Sequence, residues 1–169
     1  MDSLEPPQLL TYPQFQNQLR VEFARARRYA YPLTVAAATV DRLDHLRDIY
    51  GAEVKRNILV HVVQVFRNSL RLSDITALQH DRILLALPHT DEAGAQIMAS
   101  RMSQQVRDLR FDTHGKTLEI SISMGLCNTS AQGPLFYDAM VKNAQSALQE
   151  AAQSGGSETR FHRDPVSPS

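Results

Sequence analysis

The sequence predicts an α+β fold, an α/β sandwich whose central sheet is ferredoxin-like or palm-like, antiparallel to mixed, with flanking helices. Three observations carry this prediction. Apolar residues recur at helical spacing in several long stretches, short apolar runs bounded by turn residues read as strands, and the two kinds follow one another as α-β-α-β-β-α-β-α. The inner strand-helix-strand-strand-helix-strand portion is the split βαβ arrangement, with its helices on one side of an antiparallel sheet.

Phe15, Leu19, Phe23 and Ala26 define the first helix, which Tyr31-Pro32 stops because proline removes a backbone donor and clashes with the preceding turn. Leu33–Val40 follows as a buried strand. After the Gly51 break, Val54, Ile58, Val62, Val65 and Phe66 form the apolar side of a second helix. Residues 75–78 and 83–87 are apolar runs joined by the polar tetrad Gln79-His80-Asp81-Arg82, a hairpin signature. Ala95, Met98, Met102, Val106 and Leu109 mark the third helix. Leu118, Ile120, Ile122, Met124 and Leu126 alternate with Glu119, Ser121, Ser123 and Gly125, which predicts a half-buried strand. Phe136, Met140, Ala144, Ala147 and Ala151 supply the last helix.

At 169 residues and 43% hydrophobic content, one core and one domain are expected. Pro6-Pro7 and the run of Ser, Gly and Pro after Ser154 divide the chain into a flexible N-terminus (1–8), a folded unit (9–162) and a flexible tail (163–169). Lys plus Arg and Asp plus Glu both number 18, so no overall field draws the chain to nucleic acid or an anionic membrane, and any anion site must be local. The single cysteine, Cys127, cannot form an internal disulfide, and no signal-peptide pattern or long apolar run is present, so a cytoplasmic protein is expected. The start near the domain boundary suggests a stand-alone unit.

Six short anchors lie in order along this frame. They are Ala24-Arg25-Ala26-Arg27-Arg28 before Pro32-Leu33, Tyr50-Gly51 with Leu59 eight residues on, Arg71-Leu72-Ser73-Asp74 with Ala77, Leu87-Pro88-His89-Thr90, and Ser121-Ile122-Ser123-Met124-Gly125. Together they resemble the RARR, PL, YGHxxGDxxL, RxxDxxA, LPxT and TxSxG segments of the GGDEF (diguanylate cyclase) family, over nearly the whole folded span. The resemblance implies a GGDEF-type fold and the family's reaction, in which a 3′ hydroxyl of one GTP attacks the α-phosphate of another with divalent metals neutralising charge.

The signature itself is not spelled out. Counting back from Pro88 sets Gln79-His80-Asp81-Arg82-Ile83 in its place, and counting forward from Asp74 shifts this by one residue. The glycine pair, which lets a phosphate approach the hairpin backbone, is then replaced by Gln79-His80 or His80-Asp81. The metal carboxylate of the signature becomes Asp81 or Arg82. The resemblance also places the first-strand metal aspartate at Thr39, leaves Asp41 at the second acidic position, sets Arg47 and Arg56 at the guanine-reading Asn and Asp, and sets Ala152 at the triphosphate lysine. These differences predict a degenerate reaction site with no cofactor, no magnesium and no catalytic residue, hence a chain that is not an enzyme.

Arg71 and Asp74 keep the spacing of the family's inhibitory product site, and Arg101 falls where a second arginine completes it. Arginine offers a planar donor fork to phosphate or to the guanine Hoogsteen edge, and aspartate accepts from guanine N–H groups. The expectation is therefore a cyclic di-GMP receptor or signalling module acting on a partner protein, with a ligand-bridged homodimer as a consequence. A ligand-free scaffold, with surfaces near Tyr12, Tyr29 or the hairpin, is the first alternative. Residual GTP binding or weak cyclase activity is the second.

Other candidates point elsewhere. Arg20, Arg25, Arg27 and Arg28 read as a solvated or partner-contacting face, and His61 belongs to a polar stripe with Asn57, Gln64 and Asn68. His80, Asp81 and His89 lack the spacing of a zinc site, so no metal is assigned. Cys127 reads as a small buried side chain.

Overall fold

The computed structural model describes residues 9–129 and 136–163. The expected flexible N-terminus, and the expected tail beyond Arg163, lie outside the described residues.

The chain runs β1 (Leu9–Leu10), α1 (Tyr12–Tyr29), β2 (Leu33–Val40), α2 (Leu43–Tyr50), α3 (Ala52–Ser69), β3 (Ile75–Gln79), β4 (Arg82–Pro88), α4 (Glu92–Arg107), β5 (Phe111–Thr113), β6 (Lys116–Leu118), β7 (Ile122–Asn128), α5 (Tyr137–Gln153) and β8 (Thr159–Phe161). Every element of the expected order is present. To it are added β1, the short helix α2, the β5–β6 hairpin and β8, elements too short to carry a period of their own.

Local chemistry sets the first helix. Thr11 and Gln14 form a reciprocal capping box, with Thr11 N–H donating to Gln14 Oε1 at 2.9 Å, and Pro13 sits in the first turn. The helix ends where Ala30 turns left-handed at φ 56°, just before Tyr31-Pro32. Asp91 caps α4 in the same manner, its Oδ1 accepting from Gly94 N–H at 2.8 Å.

The main sheet has the order β1-β3-β4-β2-β7-β8. Its four central strands pair antiparallel, while β1 and β8 pair parallel at the two edges. This is the mixed sheet expected for the split βαβ core. Helices α3 and α4 cover one face through Ile58, Val62, Phe66, Met102 and Val106, packed on Ala36, Ala38, Leu85 and Met124. The opposite face is closed by α1 and α5, where Phe15, Leu19, Phe23, Met140 and Leu148 meet Val35, Ala37, Leu84 and Ala86. Alternate side chains of each central strand thus enter different cores.

Two expectations change here. The predicted strand through Leu118 and Leu126 is divided, because Leu118 belongs to the β5–β6 hairpin and only Ile122–Asn128 joins the main sheet. That strand is buried on both faces, with Ser123 wholly inaccessible, because α5 covers the side that alternation marked as polar. Gly125 makes this close approach possible: a Cβ there would stand 2.1 Å from Leu148 N and 2.2 Å from Ala144 O. The β3–β4 hairpin is also tighter than the tetrad implied. Gln79 pairs with Arg82, leaving a two-residue turn of His80 (φ 48°) and Asp81 (φ 66°).

Candidate functional site

Two pockets gather the residues singled out above. The first, about 360 Å³, lies between the end of α3 and the flank of α4 and is lined by Arg71, Asp74, Thr90, Ile97, Met98 and Arg101, among others. Residues from the loop 71–74 and from α4, about one β-strand pair apart in sequence, are brought together by the packing of α3 and α4 on one face of the sheet.

The loop is built by a reciprocal turn. Asp74 N–H donates to Arg71 O at 3.0 Å, and Arg71 N–H donates to Asp74 Oδ2 at 2.8 Å. Asp74 is 8% exposed, and its second oxygen, Oδ1, is buried with no hydrogen-bond partner among the described residues. Burial pushes the Asp74 carboxyl above its ordinary range, opposed by the Arg71 backbone N–H and the Arg71 charge. Arg71 and Arg101 are exposed, and Arg101 Nη2 donates to Ser69 O at 3.4 Å. Ile97, 69% exposed, adds apolar surface to the same lining. The pocket therefore combines one buried acceptor lacking a donor, two exposed cationic forks and an apolar flank.

The second pocket, about 370 Å³, opens at the other end of β2 and includes Thr39, Asp41, Asp44, His80, Asp81 and Ala152. Of the positions that the resemblance assigns to the reaction site, Thr39, Asp41, His80 and Asp81 are thus brought together. Gln79 and Arg82 flank the turn as its closing pair, Arg82 being exposed and opposite Thr39 in register. Arg47 and Arg56 are exposed and do not line this pocket; Arg47 instead pairs with Asp44 at 3.5 Å and Asp48 at 3.4 Å. The two positive-φ residues coincide with the register that sets His80-Asp81 at the glycine pair.

Beside Asp41, which the resemblance singled out, stand Asp44 and Lys55, which sequence reasoning passed over. Asp41 accepts from Ser121 Oγ at 2.7 Å, Ser123 Oγ at 2.6 Å and Ser157 N–H at 2.7 Å, which ties the turn after α5 to the end of β2. Lys55 Nζ lies 3.0 Å from Asp44 Oδ1 and 2.7 Å from Asp81 Oδ2. The hydrogen bond from Lys55 lowers the Asp44 carboxyl, and Asp81 and Asp44 raise the Lys55 ammonium. A signal for Lys55 existed, since the spacing GHxxGDxxL has a glycine at position 55. The resemblance marked Asp41, but no signal marked its serine partners, which are distant in sequence.

The resemblance implies magnesium among these donors. Divalent magnesium demands hard oxygens in near-octahedral geometry. Both Asp41 oxygens already accept hydrogen bonds, Asp44 and Asp81 face an ammonium, and Thr39 is neutral. The donor set in this arrangement does not fit the ion. Among the described residues, no group of three or more His, Cys, Asp or Glu is arranged to hold a metal.

The remaining candidates resolve simply. Arg20 and Arg25 line a groove beside α1, where Tyr31 stacks on His89 at 3.9 Å and donates its hydroxyl to Glu22. Burial, reinforced by Glu22, pushes the Tyr31 phenol up to about 12. Arg27 and Arg28 sit over the Phe23 and Tyr29 rings. His61 is exposed and its Nδ1 meets Asn57 O at 2.7 Å, while Cys127 is buried in the core under α1 and α5. No helix among the described residues is long and apolar enough to cross a membrane.

A mixed sheet covered on both faces thus carries one pocket at the hairpin and another at an Arg-x-x-Asp loop. The sequence model of the diguanylate cyclase GGDEF domain matches residues 8–158, and the chain belongs to the GGDEF family. Among curated relatives, the diguanylate cyclase DosC of Escherichia coli is 26% identical over 136 residues, covering 79% of this chain and 29% of DosC. An uncharacterized protein of Sinorhizobium fredii, y4lL, is 27% identical over 143 residues, covering 82% of this chain and 17% of its own length. The chain thus spans less than a third of either relative. Among solved structures, the GGDEF domain of DgcB from Caulobacter crescentus, in complex with c-di-GMP, aligns with a TM-score of 0.86 at 14% identity, covering 94% of this chain and 91% of that one. The diguanylate cyclase SiaD of Pseudomonas aeruginosa, in complex with its activator SiaC, aligns at 0.82 with 25% identity, covering 90% and 58%.

These findings correct one expectation. The family is that of diguanylate cyclases and the curated relative DosC bears that name, so the expectation that the chain is not an enzyme is overturned. The physical reason is that single substitutions at aligned positions do not establish what an assembled site can do, since neighbouring side chains outside the motifs also shape it.

Proposed function

We propose that the chain acts in cyclic di-GMP signalling by binding that dinucleotide at the Arg71, Asp74 and Arg101 pocket. The observation that carries the reading is that Asp74, whose buried Oδ1 has no hydrogen-bond partner among the described residues, lines one pocket with the exposed Arg71 and Arg101. Guanine presents two adjacent donors, its ring N–H and exocyclic amine, that suit such an acceptor, and its O6 and N7, or a phosphate, suit the guanidinium forks. The 3.4 Å contact of Arg101 with Ser69 O is weak and leaves most of its donors available. That DgcB was solved with c-di-GMP, and SiaD with a protein activator, supports a ligand and a partner for this chain as well.

Titration calorimetry of the full chain with cyclic di-GMP tests this. Saturable heat is expected, with affinity reduced about tenfold or more in Arg71→Ala, the loss of a charge-assisted hydrogen bond. No heat at tens of micromolar ligand, or an unchanged affinity in Arg71→Ala, refutes it. A second reading, diguanylate cyclase activity on GTP, is favoured by the family and by DosC. Incubation with GTP and magnesium followed by chromatography tests it through the appearance or absence of a cyclic di-GMP peak.

A further inference from the structure

At the β3–β4 hairpin, separate from the proposed dinucleotide site, two of the carboxylates that line the pocket, Asp44 and Asp81, share one ammonium that stands beside it. From α3, Lys55 extends its ammonium between Asp44 on α2 and Asp81 at the hairpin turn, 3.0 Å and 2.7 Å away. The side chain of Lys55 is 18% exposed, whereas those of Asp44 and Asp81 are 74% and 42% exposed, so the ammonium is the sheltered member of the trio. It is a compact charge with three donors, and two of them are spent here. The third nearby carboxylate, Asp41, is saturated by two serine hydroxyls and a backbone N–H.

We propose that Lys55 is the resident counter-ion of this pocket, occupying the place between Asp44 and Asp81 that a divalent cation would need, and pinning the hairpin turn to α2 and α3. Three consequences follow from charge alone. A divalent ion can reach both carboxylates only when the ammonium swings out, since like charges at that separation repel strongly. A neutral side chain at position 55 leaves Asp81 without that ammonium and Asp44 with only the exposed Arg47 at 3.5 Å, and a pair so weakly compensated recruits a cation. An arginine there keeps the charge and keeps the ion out. The bridge also steadies a turn in which both central residues, His80 and Asp81, hold positive φ, a conformation costly for side chains other than glycine.

Manganese binding to the full chain, followed by electron paramagnetic resonance without nucleotide, reads this directly. The native protein and Lys55→Arg are expected to show no saturable binding in the submillimolar range. Lys55→Met is expected to bind one Mn²⁺ with a Kd on the order of 10⁻⁴ M, the strength of a sparse carboxylate site, and Lys55→Met with Asp81→Asn is expected to lose it. Circular dichroism establishes that each variant is folded, and Lys55→Gln replaces the Met variant if that one is not. The proposal is overturned if the native chain binds Mn²⁺ and Asp81→Asn abolishes that binding. It is equally overturned if a folded neutral variant binds no more Mn²⁺ than the native chain, or if Lys55→Arg binds as much as the neutral one.

Discussion

Replacing Asp41 tests the link between the hairpin pocket and the C-terminal strand. Asp41→Ala removes three hydrogen bonds to a carboxylate and leaves the hydroxyl of Ser123, which is wholly buried, without its acceptor. Bonds to a charged group contribute up to about 1.5–3 kcal/mol each, but Asp41 is partly exposed, so about 1 kcal/mol per bond is the fitting scale. The summed cost is about 3 kcal/mol, which lowers the melting temperature of a domain this size by roughly 6–12 °C. Asp41→Asn retains an oxygen that accepts from Ser121 and Ser157, and the Ser123 hydroxyl can turn to accept from the new amide, so its cost is about 1 kcal/mol. Urea unfolding followed by circular dichroism gives both values. Hydrogen exchange adds a local readout, because His162 N–H donates to Leu126 O and Met124 N–H to Glu158 O, bonds that tie β8 to β7. These amides are expected to exchange faster in Asp41→Ala. A loss below about 1 kcal/mol with unchanged exchange at these amides refutes the reasoning.

Gly125→Ala forces a methyl group into the backbone of α5, with contacts of 2.1 Å and 2.2 Å that no rotamer relieves. A loss above about 3 kcal/mol is expected in thermal melting, and a variant within about 1 kcal/mol of native contradicts the close approach of β7 and α5. Asp74→Asn removes a buried charge while its amide oxygen still accepts from Arg71 N–H. Because burial raises the Asp74 pKa in the fold above its ordinary 3.8, the folded state binds the proton more tightly than the unfolded one. Its contribution to stability is therefore lost as pH rises from the ordinary value through the raised one. Asp74→Asn is expected to stabilise the ligand-free chain at pH 7 by on the order of 1 kcal/mol, and by less at pH 4. A difference in urea midpoint that does not vary between these pH values overturns the assignment.

Much of the frame is local information. The strand Leu33–Val40 follows from an apolar run that begins directly after Tyr31-Pro32, and α1 from the spacing of Phe15, Leu19, Phe23 and Ala26 before that stop. The Arg71 to Asp74 turn is legible because its two hydrogen bonds close within four residues. Helix α2 escaped because it is only eight residues long and starts at Arg42, a left-handed residue whose side chain makes no cap hydrogen bond. The β5–β6 hairpin escaped because each strand has three residues, too few for a period. In β7, alternation suggested a half-buried strand, yet Ser123 and Gly125 face α5 instead of water. Their small size, which reads as polar or neutral in sequence, is what lets a helix backbone come close.

By itself, then, the sequence determined the order of the main elements, the hairpin position, the family resemblance and the Arg-x-x-Asp turn, since each rests on residues a few positions apart. Arg101 was set beside Arg71 and Asp74 by the resemblance, and the structure lines one pocket with all three; only the tertiary structure decided that Asp41 is held by serines at 121, 123 and 157, and that Lys55 bridges Asp44 and Asp81. Those contacts are electrostatic and directional, acting over a few ångströms between elements far apart along the chain. No periodicity encodes them, because they exist only after two hydrophobic cores have drawn α3 and α4 against one face of the sheet and α1 and α5 against the other.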